Sequence, residues 1–285
     1  MILMNGSKIA KERNIGVSKL VEEALKKYSR RPNLAFILIG NNPASESYVK
    51  GKTKACELAG FDHVLYRMDE QVEEKEVIEL IERLNHDNLV DGMILQLPIP
   101  KHLNSDYLID LISKEKDADG FHVVNQGLLY QRKKSTPPAT PKGIMSLLEH
   151  YNIPVSGKHA VVVGRSNIVG MPVASLLLAK DATITVCHRA TPNLAEHTIK
   201  ADILVVAVGK ANLITKDMVK PGAVVIDVGV NRVNGKLYGD VDFENVKEVA
   251  SYITPVPKGV GPMTINGLIE NTFELYVEHM ERQKM

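Results

Sequence analysis

The segment Pro43-Ala44-Ser45-Glu46-Ser47-Tyr48-Val49-Lys50-Gly51-Lys52-Thr53-Lys54-Ala55-Cys56 offers a phenol and an amine four residues apart. On a helix that spacing puts Tyr48 and Lys52 on one face. Val49, Cys56 and Ala59 mark the adjoining apolar stripe, so Lys52 is expected at the flank of the buried face and partly dehydrated. Lys50 and Lys54 then point elsewhere. Partial burial favours the neutral amine and makes proton transfer near neutral pH feasible. The competing reading is a lysine that reaches out to water along its own stem.

Two further polar residues stand at the ends of apolar or turn segments. Gln96, in Asp91-Gly92-Met93-Ile94-Leu95-Gln96-Leu97-Pro98-Ile99-Pro100, directly follows an apolar run, and the prolines fix the loop after it. Its amide can orient a lysine or a carbonyl, or simply satisfy loop backbone. Asp119, in Lys116-Asp117-Ala118-Asp119-Gly120-Phe121, offers a carboxylate that can accept bonds from ring N–H groups; an Asx turn explains it nearly as well.

Another set has the chemistry to hold a dinucleotide. Gly164-Arg165-Ser166-Asn167-Ile168-Val169-Gly170-Met171-Pro172 follows the apolar run His159 to Val163 and opens a helical pattern. Gly164 and Gly170 would let backbone N–H groups and the positive helix end meet a pyrophosphate. The spacing departs from Gly-x-Gly-x-x-Gly, so alone it reads equally as a tight turn. After the next strand comes Val186-Cys187-His188-Arg189-Ala190-Thr191, with no carboxylate to accept ribose hydroxyls. Arg189 with Arg165 can instead pair with a 2′-phosphate, which favours NADP over NAD. Val208-Gly209-Lys210 and Asp227-Val228-Gly229-Val230-Asn231 each follow a strand. Their glycines can admit a flat ring, placing Val208, Gly209 and Val230 on the nicotinamide side, or can serve only as turns.

These groups need elements to carry them. Apolar runs at Leu34 to Ile39, Val64 to Tyr66 and Met93 to Leu95 alternate with helical patterns ending at Ala59 and spanning Glu73 to Leu84. That order implies βαβαβ and a parallel sheet, whose ligands collect beyond the carboxyl ends of the strands. The polar, proline-rich run Gln131 to Pro141 is expected to connect two halves, with a helix from Gly143 to His150 after it. The second half repeats the alternation: strands at His159 to Val163, Thr183 to Val186, Ile203 to Ala207 and Ala223 to Val228, with a helix running from the glycine loop through Lys180. This reads as an α/β chain of two domains, 1–140 and a Rossmann-like unit 141–263, with a final helix from Thr264 to about Arg282 returning to the first.

Composition sets outer bounds. With 285 residues, 44% of them hydrophobic, the chain can bury a sizeable core. Lysine plus arginine number 35 against 34 aspartate plus glutamate, so no overall field favours nucleic acid or an acidic membrane surface. Cys56 and Cys187 are the only cysteines, too few for a disulfide framework or a four-ligand zinc site, and they fit a reducing compartment. No charged leader or bilayer-length apolar run is evident, so a soluble cytoplasmic protein is expected.

Taken together, Tyr48-Val49-Lys50-Gly51-Lys52, Asp91 to Pro100, Lys116 to Phe121, Gly164-Arg165-Ser166 through Pro172, and Ile253 to Thr264 resemble the bifunctional methylenetetrahydrofolate dehydrogenase/methenyltetrahydrofolate cyclohydrolase family over almost the whole chain. The resemblance implies that Lys52 is the catalytic lysine and that Tyr48 and Gln96 position it and the substrate. It also implies that Asp119 holds the pterin of a tetrahydrofolate, with Leu97, Pro98 and Pro262 in the substrate set. Gly164, Arg165, Ser166, Val169, Gly170, His188 and Arg189 would bind NADP, no metal would be required, and the chain would be a homodimer formed mainly through its cofactor domains. Two positions depart from the family: Ala139 stands where cysteine is frequent, and Lys258 where glycine is frequent.

Two other functions remain open on sequence. A shikimate-type NADP dehydrogenase also joins an αβ substrate domain bearing a lysine to a cofactor domain, and a non-catalytic NADP-binding regulator would share the second half. ATP-driven formate ligation is not expected, because no Gly-x-x-x-x-Gly-Lys-Ser/Thr loop occurs.

Overall fold

Parallel strands need helical crossovers, and the chain alternates accordingly. The computed structural model describes residues 1–284. In chain order it begins with β1 (Ile2–Leu3), α1 (Gly6–Tyr28), β2 (Asn33–Ile39), α2 (Pro43–Ala59), β3 (Asp62–Met68), α3 (Glu74–His86) and β4 (Gly92–Leu95). Next come α4 (Ser105–Leu111), α5 (Val123–Tyr130), α6 (Ala139–His150), β5 (His159–Val163), α7 (Gly170–Leu178), β6 (Thr183–Cys187) and α8 (Leu194–Thr198). The chain closes with β7 (Ile203–Val206), β8 (Val224–Asp227), the hairpin β9 (Asn231–Val233) and β10 (Lys236–Tyr238), α9 (Phe243–Val246), β11 (Tyr252–Ile253) and α10 (Val260–Arg282). Contacts divide it into two units: Lys11–Ala139 with the chain from Ile265 onward, and Met1–Ala10 with Thr140–Thr264.

The unit built on Lys11–Ala139 holds a parallel sheet in the order β3-β2-β4. Side chains alternate along β2, as a strand requires. Ala35, Ile37 and Ile39 pack with Val77, Ile81 and Leu84 of α3, whereas Leu34 and Phe36 pack with Cys56 and Ala59 of α2 and Leu268 and Ile269 of α10. Burial on both faces is why β2 reads as a continuous apolar run. A bridge from Met93 to Asp117 lays the Lys116 to Gly120 segment beside β4. The part of α10 from Ile265 onward groups with this unit.

The other unit carries a six-stranded sheet in the order β1-β11-β8-β7-β5-β6, with every pair parallel. Alternation again separates two layers: Ala160 and Val162 face Ile144, Leu147, Val173 and Leu177, while Val161 and Val163 face Leu204, Val225 and Ile253. This is the expected Rossmann-like arrangement, with α7 following β5 directly.

Several expectations shift. The first ten residues, expected with the first domain, pair instead with the second sheet, Ile2 opposite Tyr252 and Leu3 opposite Ile253. Strands two residues long carry no period to read. Helix α6 begins at Ala139, so Ala139-Thr140-Pro141 lies in its first turn, where a proline lacks no needed donor. Helix α10 begins at Val260, four residues before the expected start, and places Pro262 in its first turn for the same reason. Helix α1 is not among the expected elements, although Ile9, Val17, Val21 and Ala24 are buried along it. Among the described residues no helix is long and apolar enough to cross a membrane.

Candidate active site and cofactor site

Helix α2 starts where β2 ends because Asn42 caps it, accepting the N–H groups of Ala44 and Ser45 at 2.9 and 3.2 Å, with Pro43 in the first turn. Gln96 sits just past the carboxyl end of the neighbouring parallel strand β4 and donates its N–H to Ile37 O at 2.9 Å. Both segments thus emerge at the same edge of the sheet. Ser45, buried, donates to the Leu97 carbonyl at 3.5 Å and ties the head of α2 to the loop after β4.

Lys52 lies three turns along α2 and is 5% exposed, while Lys50 and Lys54 face solvent. Its Nζ stands 3.6 Å from Asp119 Oδ1. The expected burial of this amine is therefore present, with the Asp119 carboxylate as its near neighbour. Tyr48 occupies the same helical face one turn earlier and is 41% exposed. One turn beyond Lys52, burial pushes the Cys56 thiol up to about 12, so this cysteine packs rather than reacts.

Gln96 does not orient Lys52 through a direct hydrogen bond. Its Nε2 donates to the Leu97 carbonyl at 2.7 Å, and its Oε1, buried, has no partner. A buried acceptor left unmet costs about 1–3 kcal/mol, so this oxygen stands out among the polar atoms of the unit. Leu97 is partly buried and Pro98 exposed beside it.

The Asx-turn role belongs to Asp117 and leaves Asp119 available. Asp117 accepts N–H bonds from Gly120, Phe121 and His122 and an amide bond from Asn125. Burial raises the Asp117 carboxyl, and the bonds from Asn125, His122 and Phe121 pull it back. Gly120, at φ +73°, faces Pro137, which a Cβ would strike at 2.5 Å. Asn271 of α10 secures the same turn by donating to the carbonyls of Ala118 and Pro137, and Ala139 N–H reaches Asp119 O at 3.2 Å. Ala139 is buried, and its carbonyl lies 2.4 Å from where a Cβ on Gly267 would be, so glycine is required at 267. Pro262, expected with this set, lies in the other unit.

In that other unit the loop after β5 is closed by backbone proximity. A Cβ on Gly164, at φ +121°, would lie 2.3 Å from Ala207 O, and one on Gly170 would lie 2.2 Å from Gly164 O. Only glycine fits either place. Ser166 Oγ accepts the N–H groups of Val169 and Gly170 at 3.2 and 3.3 Å at the head of α7. His188 Nδ1 accepts Ala190 N–H at 3.2 Å, and the His188 N–H donates to Thr191 Oγ1 at 2.9 Å, shaping the turn after β6. Arg165 and Arg189 are exposed, and among the described residues no carboxylate forms an ion pair with either. A glycine-only turn opening a helix, flanked by two unpaired guanidinium groups, fits a pyrophosphate and a 2′-phosphate.

The loops after β7 and β8 differ from expectation in one respect. The N–H groups of Val208, Gly209 and Lys210 all donate to Asp240, so that backbone has no donors left for a ligand. Gly229 packs on Asp240, whose Oδ1 a Cβ would meet at 2.2 Å, so its smallness serves the carboxylate rather than a ring. Gly209, at φ +68°, has open space where a Cβ would be, and Val208 and Val230 are 38% and 49% exposed. Asp227 and Asp240 escape a sequence reading because single acidic residues in loops carry no spacing signal; Asp-x-Gly near Gly-Asp was the available clue. Among the described residues no group of three or more His, Cys, Asp or Glu is arranged to hold a metal.

Comparison with known proteins bears on the family of the chain. Residues 4–119 match the tetrahydrofolate dehydrogenase/cyclohydrolase catalytic domain, and residues 138–280 match the NAD(P)-binding domain of the same family. The bifunctional protein FolD of Acholeplasma laidlawii is 54% identical over 277 residues, covering 97% of this chain and 99% of that protein. The structure of the bifunctional FolD methylenetetrahydrofolate dehydrogenase/cyclohydrolase from Campylobacter jejuni superposes with a TM-score of 0.95 at 45% identity, covering 98% of this chain and 99% of that one. The Trypanosoma brucei enzyme, solved with NADP cofactor and inhibitor, gives a TM-score of 0.93 at 35% identity, covering 99% and 98%. Shikimate 5-dehydrogenase of Thermus thermophilus shares the fold alone, with a TM-score of 0.54 at 15% identity over 87% of this chain and 99% of that one. The chain belongs to the tetrahydrofolate dehydrogenase/cyclohydrolase family.

Proposed function

We propose that the protein oxidises 5,10-methylenetetrahydrofolate with NADP and hydrolyses the methenyl product to 10-formyltetrahydrofolate. The observation that carries this reading is the largely shielded Lys52–Asp119 pair in the same unit as the unmet Gln96 oxygen, in a chain that also holds a glycine-only turn and two exposed guanidinium groups. The unit of Lys11–Ala139 with α10 takes the folate, and the unit of Thr140–Thr264 with the first ten residues takes the cofactor.

Oxidation draws on a nitrogen lone pair of the substrate to expel hydride from the bridging carbon, and NADP supplies the acceptor when bound. The protein contributes alignment more than acid–base help. Gly164 and Gly170 open the pyrophosphate turn, Ser166, Val169 and His188 shape its surroundings, Arg165 and Arg189 meet the 2′-phosphate, and Val208, Gly209 and Val230 line the ring end.

Hydrolysis is where Lys52 acts. Water adds to the methenyl carbon as Lys52 accepts its proton, and the carbon–N5 bond then breaks as Lys52 returns a proton to N5. The second water proton leaves to solvent as the formyl C=O forms on N10. Asp119 accepts N–H bonds from the pterin and stands 3.6 Å from the Lys52 amine. Gln96 Oε1 accepts a donor from the substrate, Tyr48 covers the Lys52 face, and Leu97 and Pro98 contact the folate.

We further take the protein to be a cytoplasmic homodimer joined through its cofactor units. Two buried free thiols support a reducing compartment, and β6, at the sheet edge, leaves one strand side unpaired for a second copy. One spectrophotometric assay tests the activity: methylenetetrahydrofolate with NADP yields product, NAD serves poorly, and Arg189→Ala raises the KM for NADP about tenfold with little change for NAD. Absence of turnover with NADP would favour a non-catalytic binding protein, and turnover of a hydroxy-acid ring would favour a shikimate-type dehydrogenase.

A further inference from the structure

Asp240, fully buried, follows the β9–β10 hairpin and gathers more hydrogen bonds than a turn requires. Its Oδ2 accepts the N–H groups of Val208 at 2.7 Å and Gly209 at 3.0 Å. Its Oδ1 accepts Lys210 N–H at 2.8 Å and the Asn231 side-chain amide at 2.9 Å. Successive backbone N–H groups that converge in this way form an anion-binding concavity, and here the protein fills it with its own carboxylate.

Asp227, at the end of β8, holds Asp240 in turn. Its Oδ1 accepts the N–H groups of Asp240 at 2.9 Å and Gly229 at 3.0 Å, and its Oδ2 accepts Val241 N–H at 3.0 Å. Two glycines make the arrangement possible. A Cβ on Gly229 would lie 2.2 Å from Asp240 Oδ1, and a Cβ on Gly239 would overlap Asp227 Oδ2. The loops after β7 and β8 are therefore locked to one carboxylate from two directions.

The consequence is chemical as well as mechanical. With its three N–H groups taken, the 208–210 backbone offers a ligand only carbonyl acceptors, beside the exposed side chains of Val208 and Lys210. Such a backbone suits a carboxamide NH2 and leaves no N–H groups to cradle a phosphate. We infer that Asp240 is a positioning residue for the dehydrogenase reaction, fixing the loop after β7 as an acceptor-only backbone for the nicotinamide end of NADP. This rests on the reading that the same loop meets the cofactor.

Asp240→Asn tests it in the full-length chain. The amide replaces an acceptor oxygen by a donor and sets it against backbone N–H groups, so the loop must move. The Kd for NADP is expected to rise about ten- to a hundredfold. Adenosine 2′,5′-bisphosphate, which lacks the nicotinamide end, should bind unchanged, and hydrolysis of supplied methenyltetrahydrofolate should persist. Hydrogen exchange at Val208, Gly209 and Lys210 should quicken. Equal weakening of both nucleotides, or unchanged NADP affinity despite faster exchange, overturns the inference. If Asp240→Asn does not fold, Asn231→Ala decides, since it removes one donor and strands no backbone N–H group. A smaller loss confined to NADP then supports the role, and an equal loss or none overturns it. Val208→Asp separates the two readings: if it leaves NADP affinity intact, the loop does not meet the cofactor; if it abolishes binding while Asp240→Asn does not, only the role of Asp240 fails.

Discussion

Lys52 Nζ stands 3.6 Å from Asp119 Oδ1, with both side chains largely shielded from water. Charge-assisted bonds close at about 2.7–2.9 Å, so this pair is near without being sealed. The amine keeps donors for a substrate and the carboxylate keeps acceptor sites for ring N–H groups. The bridge from Met93 to Asp117 and the capped start of α2 hold the two residues in place from different segments, so neither position depends on the ion pair.

The unmet oxygen of Gln96 predicts a conflict between stability and function. Gln96→Leu removes a buried acceptor that lacks a partner, and should leave the thermal midpoint equal or raise stability by about 1 kcal/mol. Folate turnover should fall at least about tenfold in the same variant. Calorimetry paired with the activity assay checks both. A loss of stability together with full activity would mean that Oε1 has no substrate to meet.

Lys258 holds φ at +81°, a conformation that favours glycine and strains other residues. Its carbonyl accepts Ser7 N–H at 3.1 Å, which fixes the local backbone. Lys258→Gly should therefore stabilise the protein by about 0.5–1 kcal/mol, seen as a higher urea midpoint. A lower midpoint would show that the lysine side chain contributes more than its backbone costs.

Asp227 predicts a pH dependence. Burial raises its carboxyl from 3.8 to about 7, against the N–H bonds from Val241, Asp240 and Gly229. A folded value above the unfolded one means that the fold favours the protonated form. The resulting contribution is complete below pH 3.8 and is lost as pH rises through about 7. Asp227→Asn removes this titration, so the advantage of the wild-type chain over the variant should shrink between about pH 4 and 8. Urea midpoints of both proteins across that range measure it, and parallel curves would refute it.

Much of the scaffold is legible in the amino acids alone. The apolar runs of β2, β5, β7 and β8 are long enough to read, and burial on both faces accounts for their uniformity. The burial of Lys52 is legible because its helix carries a clear apolar stripe, and the proposal for Arg165 with Arg189 rests on the missing carboxylate after β6. Residues 1–10 could not be placed, since a two-residue strand gains its meaning from Tyr252 and Ile253 far along the chain. The contact of Gly229 with Asp240 is not legible because Asp240 arrives only through the hairpin, and the bond of Gln96 to Leu97 O depends on a loop conformation rather than on a pattern.

The account stands most directly on Lys52→Met assayed with methylenetetrahydrofolate and NADP while methenyltetrahydrofolate and 10-formyltetrahydrofolate are followed separately. The wild-type chain should pass through the methenyl compound to the formyl product. In the variant, methenyltetrahydrofolate should accumulate, with hydrolysis slowed by about a hundredfold or more. Formation of 10-formyltetrahydrofolate at the wild-type rate would contradict the role given to this amine.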